Sequence, residues 1–392
     1  MKKILLVLNP LYPKRDHDSN LMLKIINKMN AEAKIVTLDT SEIESVPPNT
    51  VDNVPVYFQK CCGFLNRKLF LLLVKVFGKS RAEMYFCYIK MRLAIKHIYR
   101  NEDVIISTFH KYYVALSAQK SSRKAIKALY IMDPFPAMFI EGQDVNNEGK
   151  GNLKMLSNYD VIFTTRFVKD AMIQRGYGTY VKRIVEVSFP MITGFSENEP
   201  KKNNEKITLL FSGRICYDIR SPGYYLKIIS KLDSRFRVIF VGANCTSLRR
   251  LRIETDAELQ ILPPVEYAEV RKMMADADIM INIGNSIPVH IPSKTFEYIN
   301  TGKPIVNFYK FDDCPTLYYT KRYPLCLNLS ENDEDIDKAT EQFINFCVAN
   351  KGKQLDQNWI LENYAESTPE VIAKTIDDTL NELLEEKRRK KR

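Results

Sequence analysis

Short apolar runs alternate with amphipathic helical patterns along most of this chain, and this alternation limits the possible folds more than any other feature. Strands that alternate with helices form βαβ units, which pair their strands in parallel. In the first half we predict strands at residues 4–8, 34–38, 104–107, 128–132, 161–164 and 183–187. In the second half we predict strands at residues 208–211, 237–241, 259–262, 279–283, 304–308 and 325–329. The fold class is therefore α/β, with two parallel sheets.

The sequence turns polar between Pro190 and Lys206, and this stretch is the predicted linker between two domains. A chain of 392 residues is long enough for two domains of ordinary size. The predicted parts are an N-terminal Rossmann-like domain over residues 1–190, a linker over 191–205, a C-terminal domain over 206–365 and a C-terminal helix with a basic tail over 366–392. We expect that last helix to pack back on the N-terminal domain. Two Rossmann-like halves joined in this way leave a cleft, and their ligands bind at the carboxyl ends of the strands.

Residues 60–100 carry most of the excess positive charge of the chain. This basic segment holds ten lysines and arginines and one acid, Glu83, so it contributes +9 to a total of +11. It also contains the apolar run 69–77. Amphipathic cationic helices bind anionic membrane surfaces, and we favour that hypothesis over an ordinary pair of helices with a solvated basic face. Nucleic acid is a weaker hypothesis, because no nucleic-acid-binding signature accompanies the charge, and we expect no nucleic-acid partner.

The N-terminal residues superficially resemble a signal peptide, but their apolar run is too short and fits a first strand better. No segment reaches the roughly 20 apolar residues that span a bilayer. Eight cysteines occur without a C-x-x-C motif, which favours reduced thiols in the cytoplasm. We therefore expect a cytoplasmic protein that is peripheral on the inner face of the cell membrane.

No metal and no cofactor are predicted. Asp276 and Asp278 form an Asp-Ala-Asp sequence at a helix-to-strand junction, where capping or solvation explains them better than metal binding. A nicotinamide cofactor is disfavoured, because no G-x-G-x-x-G motif follows the first strand.

The stretch 291–306 predicts a helix with a polar start, followed by a buried strand. Pro292 suits a first helical turn, Ser293 can satisfy free N–H groups there, and Gly302 ends the helix. Lys294 then lies at the helix N-terminus, and Glu297 lies one turn farther on. Such a helix can hold a phosphate at its end and a sugar hydroxyl along its side.

Further polar residues of the second half lie where predicted strands end. Gly213 and Arg214 follow one strand, and Asn285 follows another. Arg220 comes just before a predicted helix over residues 224–232. Because parallel strands end at one edge of the sheet, these groups should face the same side of the cleft. Together with the lysine at the helix start, the two arginines would surround a diphosphate with charge and bidentate hydrogen bonds.

These segments resemble the donor domain of GT-B glycosyltransferases, of the retaining class called family four. The resemblance covers about residues 206–310 and rests on the segments 211–214, 220–222, 277–279, 283–285 and 292–305. It implies a GT-B fold with two Rossmann-like domains facing across a cleft, and is closest to the subgroup that makes bacterial capsule, O-antigen or exopolysaccharide. The predicted donor-binding residues are Gly213, Arg214, Arg220, Asn285, Ser293, Lys294 and Glu297.

One residue departs from the pattern of that family. Its members carry two glutamates eight positions apart, of which the second matches Glu297 and the first falls at Val289. In the family the first glutamate lies near the donor sugar. The neighbouring His290 is a candidate substitute for it.

The first half is expected to hold the acceptor and to supply catalytic groups. His110 and Asp133 each follow a predicted strand, so both should point at the cleft. His110 would contact the donor sugar or its pyrophosphate, and Asp133 would orient an acceptor hydroxyl or accept its proton. A surface histidine and a turn-forming aspartate are equally supported alternatives.

The resulting hypothesis is the metal-independent, retaining transfer of a sugar from a nucleotide diphosphate sugar to a hydroxyl of a lipid-linked oligosaccharide or polysaccharide precursor. A non-hydrolysing nucleotide-sugar epimerase, which shares the fold and the diphosphate site, is one alternative. A catalytically silent nucleotide-sugar-binding partner subunit is the other, and Val289 favours it.

Overall fold

The computed structural model describes residues 1–11, 17–39, 48–61, 63–109, 111–122, 124–133, 155–195 and 205–390. The chain forms two compact units. The first consists of Met1–Pro190 with Glu366–Arg392, and the second is Met191–Ala365. Each unit contains one β-sheet flanked by helices, which confirms the predicted α/β class.

Within the described residues, the strands of the first unit are β1 (Lys2–Val7), β2 (Ala31–Asp39), β3 (Thr50–Val51), β4 (Val54–Lys60), β5 (Val104–Thr108), β6 (Ile126–Ile131), β7 (Val161–Thr164) and β8 (Ile184–Glu186). These eight strands form one sheet in the order β3-β4-β2-β1-β5-β6-β7-β8. All neighbours pair in parallel except β3 and β4. The central strands are continuous apolar runs because helices cover both faces of such a sheet. The six predicted strands are confirmed, whereas β3 and β4 were missed because Pro55 and polar neighbours interrupt the apolar pattern.

Within the described residues, five helices lie between the strands of this unit. They are α1 (His17–Ile26), α2 (Phe64–Phe77), α3 (Lys79–Ile98), α4 (Tyr112–Gln119) and α5 (Arg166–Gln174). The predicted pair of helices in the basic segment is confirmed as α2 and α3. No helix in the described residues is long and apolar enough to cross a bilayer.

The strands of the second unit are β9 (Ile207–Ser212), β10 (Phe236–Val241), β11 (Glu258–Leu262), β12 (Ile279–Ile283), β13 (Ile305–Tyr309) and β14 (Cys326–Ser330). They form a fully parallel sheet in the order β11-β10-β9-β12-β13-β14. All six match predicted strands within one residue at each end. The chain order reverses between β9 and β12, and open α/β sheets bind ligands at the carboxyl ends of strands at such a point.

The helices of the second unit follow its strands in turn. They are α6 (Gly223–Ile229), α7 (Tyr267–Asp276), α8 (Lys294–Thr301), α9 (Pro315–Thr320), α10 (Ile336–Asn350) and α11 (Gln357–Asn363). An aromatic core joins α6 and α10 to the sheet, with the ring of Tyr225 5.7 Å from Phe240, 5.2 Å from Phe308 and 6.0 Å from Phe343. Aromatic pairs at such distances add to the hydrophobic stabilisation, so this core holds both helices against β10 and β13, the strands that flank β9 and β12.

The last helix, α12 (Pro369–Arg389), belongs to the first unit. Thr368 caps it by accepting a hydrogen bond from the Val371 N–H, and Pro369 occupies its first turn, where a missing N–H costs nothing. Lys2 of β1 forms an ion pair with Asp377 at 2.7 Å. Arg183, beside β8, contacts two further acids of the helix, Glu382 and Glu386, each at 2.8 Å.

Candidate functional site

The polar residues of the second unit gather at the carboxyl ends of β9 and β12. Gly213 directly follows β9, and Asn285 lies two residues beyond β12. Arg220 ends a tight turn and forms an isolated antiparallel β-bridge with Cys216. The loop after β12 is tied to this turn, because the backbone N–H of Ser286 donates to the Ile219 carbonyl at 2.7 Å. The reversal of strand order between β9 and β12 therefore brings this turn and the loop after β12 together at the edge of the sheet.

A chain of hydrogen bonds links Arg220, Asn285 and His290. The Arg220 Nε donates to Asn285 Oδ1 at 3.0 Å, and Asn285 Nδ2 lies 2.8 Å from His290 Nδ1. Because a guanidinium only donates, Asn285 must present its oxygen to Arg220 and its NH₂ group to the imidazole. His290 Nδ1 therefore accepts, and in the neutral ring the proton is on Nε2. Asn285 is 1% exposed, so this orientation is fixed by its surroundings.

The Arg220 guanidinium is a partly buried cation that is hydrogen-bonded to an amide. Burial lowers the pKa of Arg220 below its usual value, although Tyr298 and Cys216 oppose that shift. Within the described residues Arg220 makes no ion pair with a carboxylate. Removing a cation from water is costly unless an anion compensates, so an anionic ligand at this position would be bound strongly.

Several solved structures superpose on almost the whole chain. Sucrose-phosphate synthase from Thermosynechococcus elongatus matches with a TM-score of 0.65 and 12% identity over 98% of this chain and 99% of that chain. The UDP-forming α,α-trehalose-phosphate synthase from Burkholderia vietnamiensis gives 0.64 and 12%, over 98% and 100%. HepE from Anabaena, in complex with UDP and glucose, gives 0.58 and 12%, over 98% and 100%. The chain has the GT-B fold. No protein-family model and no curated protein matches the sequence.

Gly242 allows the ends of β9 and β10 to approach each other. Gly242, at the end of β10, has a φ of +132°, and a Cβ added there would lie 2.1 Å from the Gly213 carbonyl oxygen. A Cβ added at Gly213 would lie 3.6 Å from Nη1 of Arg220, which is ordinary contact. Gly242 is therefore required by the backbone, whereas an alanine at Gly213 would only contact the Arg220 guanidinium and the Phe211 ring.

Ser293 does not cap α8, so that prediction was wrong. Ser293 has helical backbone angles, φ −57° and ψ −25°, and its side chain makes no capping hydrogen bond. The turn already begins at Pro292, whose carbonyl accepts from the Thr295 N–H at 3.0 Å. A residue inside the first turn cannot bend its hydroxyl back to the free N–H groups, because capping requires an extended backbone. Ser293 is half-buried at the helix start, with its hydroxyl not used for capping.

Lys294 and Glu297 form an ion pair with each other. Lys294 Nζ lies 2.5 Å from Glu297 Oε2, and the two side chains are 22% and 10% exposed. The same ammonium lies 5.6 Å from the ring centroid of Tyr267, the first residue of α7. Partial desolvation by the surrounding protein, with a contribution from Glu297, raises the pKa of Tyr267 to about 12, so this phenol is neutral at physiological pH. The sequence had assigned the lysine and the glutamate to separate ligand groups and gave no signal for Tyr267.

Tyr298 fixes α8 against the end of β9. Its hydroxyl accepts from the Ser212 N–H at 2.8 Å and donates to the Ser212 carbonyl at 3.0 Å. The side chain is 1% exposed, and burial raises the pKa of Tyr298. Because Ser212 precedes Gly213 and Tyr298 follows Glu297, this pair of bonds sets the distance between the strand end and the polar face of the helix.

The remaining predicted residues are less closely joined to this edge. Arg214 follows Gly213 and is exposed, and within the described residues it has no hydrogen bond to the other predicted donor-site residues. Asp278 is a structural residue, since its Oδ2 accepts from the Thr208 N–H at 2.9 Å and joins the starts of β9 and β12.

The first unit of the GT-B fold also ends its strands in polar residues. His110 lies outside the described residues. Asp133 is half-buried two residues beyond β6. Asn9, after β1, donates to Thr108 Oγ1 at 3.3 Å, and its carbonyl accepts from the Thr37 hydroxyl at 2.9 Å. The sequence predicted Asp133 at this edge, but it did not single out the buried amide and hydroxyls beside it.

Proposed function

We propose that this protein is a glycosyltransferase that moves a sugar from a nucleotide diphosphate sugar to a hydroxyl of a lipid-linked oligosaccharide or polysaccharide precursor. The observation that carries the proposal is the partly desolvated Arg220 guanidinium, held by the Asn285 amide rather than by a carboxylate. A diphosphate offers this cation two negative groups and several acceptor oxygens. Support comes from the GT-B fold, which is shared with HepE, a protein solved with UDP and with UDP-glucose.

Donor binding would rearrange the charges along α8. The Lys294 side chain would turn towards a phosphate bound at the helix N-terminus, and this movement would break its ion pair with Glu297. The released Glu297 carboxylate would accept hydrogen bonds from a ribose diol. The exposed Tyr267 ring, beside the lysine, offers a surface on which a base or ribose can stack. Arg214 and Ser293 would complete the contacts with the diphosphate.

Departure of the nucleoside diphosphate builds negative charge on its oxygens. Arg220, Lys294 and the α8 dipole would stabilise that charge, in the role that a metal ion has in other transferases. His290, with its proton on Nε2, would donate to the donor on the sugar side, where the resembling family has a glutamate. The same resemblance supports retention of anomeric configuration by front-side attack.

The acceptor is assigned to the first unit. Asp133 would orient the acceptor hydroxyl or accept its proton, and His110 would contact the donor sugar or its pyrophosphate. The helical pair α2 and α3 would bring the protein to an anionic membrane surface, at the inner face of the cell membrane, where a lipid-linked acceptor is found. Bacterial capsule or O-antigen synthesis is the process that fits this combination.

Thermal-shift measurements with UDP, GDP, CDP and dTDP test the donor site. We expect one nucleotide to raise the melting temperature of the protein selectively, because only the folded state binds it. Arg220→Ala should abolish that shift, whereas Arg235→Ala, which removes an exposed arginine of the same unit paired with Asp233, should keep it. The donor site is wrong if no nucleoside diphosphate shifts the wild type or if Arg220→Ala responds equally.

An acceptor requirement separates the proposed function from its alternatives. A transferase releases nucleoside diphosphate only when an acceptor is present, an epimerase converts the nucleotide sugar alone, and a silent subunit binds without turnover.

A further inference from the structure

The helices α2 and α3 form a hairpin that leaves large apolar side chains in solvent. They meet at Gly78, and the rings of Phe70 and Phe86 pack 5.8 Å apart between them. On α2, Leu65, Leu72 and Val76 are 79%, 59% and 63% exposed. Their spacings of seven and four residues place all three on one face of the helix. This apolar face has no partner among the described residues, which is unusual for side chains of this size grouped together.

A cavity of about 540 Å³ opens on the other helix of the hairpin. Its lining includes Tyr88, Ile89, Arg92, Leu93, Lys96 and Tyr99. Tyr88, Arg92, Lys96 and Tyr99 are four, four and three residues apart, so they occupy successive turns along one face of α3. The volume lies in the range of sites that bind small molecules.

The lining of this α3 cavity combines positive charge with apolar walls. Within the described residues, neither Arg92 nor Lys96 forms an ion pair with an acid. A third cation, Lys120, lies 5.8 Å from the ring centroid of Tyr88. Ile89 and Leu93 supply apolar surface, and Leu93 is 54% exposed. The ligand that satisfies both parts is an amphiphile with an anionic head.

We propose that the α3 cavity binds one molecule of anionic phospholipid. Its phosphate would contact Arg92 and Lys96, and the first part of its acyl chains would lie against Ile89 and Leu93. This inference rests on the proposed function only in taking the membrane as partner, and it adds a defined lipid site to a general attraction. The apolar face of α2, on the same hairpin, would enter the interface beside that lipid. A free phosphate would contact the two cations but would leave the apolar walls of the cavity exposed to water.

A short-chain lipid separates a binding cavity from a charged surface. Dihexanoyl-phosphatidylglycerol below its micelle concentration is titrated into the full-length protein by isothermal titration calorimetry. Inorganic phosphate and dihexanoyl-phosphatidylcholine are titrated in the same way. We expect the anionic lipid to bind at least about tenfold more tightly than either, since it alone satisfies both charge and apolar surface.

Variants on α3 locate the site. Arg92→Ala and Lys96→Ala should each weaken binding of the anionic lipid by about tenfold, because each removes a charge-assisted hydrogen bond. Lys90→Ala removes the same charge from the same helix at a position about 200° around the axis from Arg92, and should leave the affinity unchanged. Leu93→Asn should weaken lipid binding without changing the response to phosphate.

Three results would overturn the proposal. Phosphate that binds as tightly as the lipid would show an anion site, and a loss with Lys90→Ala equal to that with Arg92→Ala would show diffuse electrostatic attraction. Wild-type protein that binds no short-chain lipid would exclude the cavity without any variant. Stabilisation by nucleoside diphosphates, measured on the same proteins, should be unaffected by the α3 variants, so failure of the lipid site and failure of the donor site are distinguishable.

Discussion

The carboxyl edges of the two sheets are both polar, but they differ in charge. At the edge of the second sheet, Arg220 is held by an amide, and a lysine with its glutamate partner lies on the neighbouring helix. At the edge of the first, Asn9 is hydrogen-bonded to neutral hydroxyl groups, and the buried acids Asp18 and Asp39 lie at the same edge. Asp133 adds a carboxylate there. Among the described residues, the same architecture therefore carries a cation without a carboxylate partner at one edge and buried acids beside hydrogen-bonded neutral groups at the other.

Of the substitutions considered, Gly242→Ala should disrupt the carboxyl edge of the second sheet most. The substitution combines a φ of +132° with a Cβ only 2.1 Å from a backbone oxygen, so the turn must move or unfold. We expect a loss of about 3 kcal/mol or more in the free energy of unfolding, measured in urea. Gly178→Ala, where an added Cβ meets nothing within 4 Å and φ is not left-handed, is the matched control in the first unit. Equal effects of the two substitutions would contradict the close approach at Gly242.

Tyr298→Phe should loosen the second edge without changing its charges. The phenol oxygen satisfies both backbone groups of Ser212, which are buried, and phenylalanine cannot replace either bond. The expected cost is about 1–3 kcal/mol of stability, together with weaker binding of a nucleoside diphosphate. Tyr318→Phe, at an exposed tyrosine on α9, is the control and should change neither quantity. Unaltered nucleotide binding in a destabilised Tyr298→Phe protein would separate this tyrosine from the site.

Thr37→Val should have the smallest effect and should be confined to the first edge. It removes one buried hydroxyl that donates to the Asn9 carbonyl, which still accepts from Ser19 at 3.2 Å. We expect a loss of about 1 kcal/mol in the free energy of unfolding and no change in nucleoside diphosphate affinity. A loss of nucleotide binding would show that the edge of the first sheet also takes part in donor recognition.

The sequence predicted what depends on local patterns. The buried runs of β1, β9 and β12 and the turn at Gly302, which ends α8 with a φ of 74°, were predicted because burial on both faces and a left-handed turn each leave a local signal. The pattern failed at β4, where Pro55, which lies opposite Thr50 of β3, breaks the apolar run. Ser293 failed as a cap because Pro292 begins the turn one residue earlier.

Local sequence patterns could not predict the side-chain contacts at the carboxyl edge of the second sheet. Arg220 and Asn285 are 65 residues apart, and only the order of the strands brings their side chains together. The sequence placed both at the edge, but it could not show that an amide takes the position of a carboxylate. The spacing of three residues is enough to predict the ion pair between Lys294 and Glu297. It was not predicted because the two residues had been assigned to a phosphate and to a ribose.

The central claim is that Arg220 is kept without a carboxylate partner so that a diphosphate can bind it. Asn285→Asp tests this most directly, because it changes the amide into a carboxylate of the same size. The affinity for UDP, GDP, CDP and dTDP is measured by isothermal titration calorimetry on both proteins, alongside their melting temperatures. We predict that the substitution keeps or raises the melting temperature and weakens the best-bound nucleotide by about tenfold or more, because the new carboxylate competes for the guanidinium. Equal affinity in the two proteins would contradict the claim, as would a wild type that binds none of the four nucleotides.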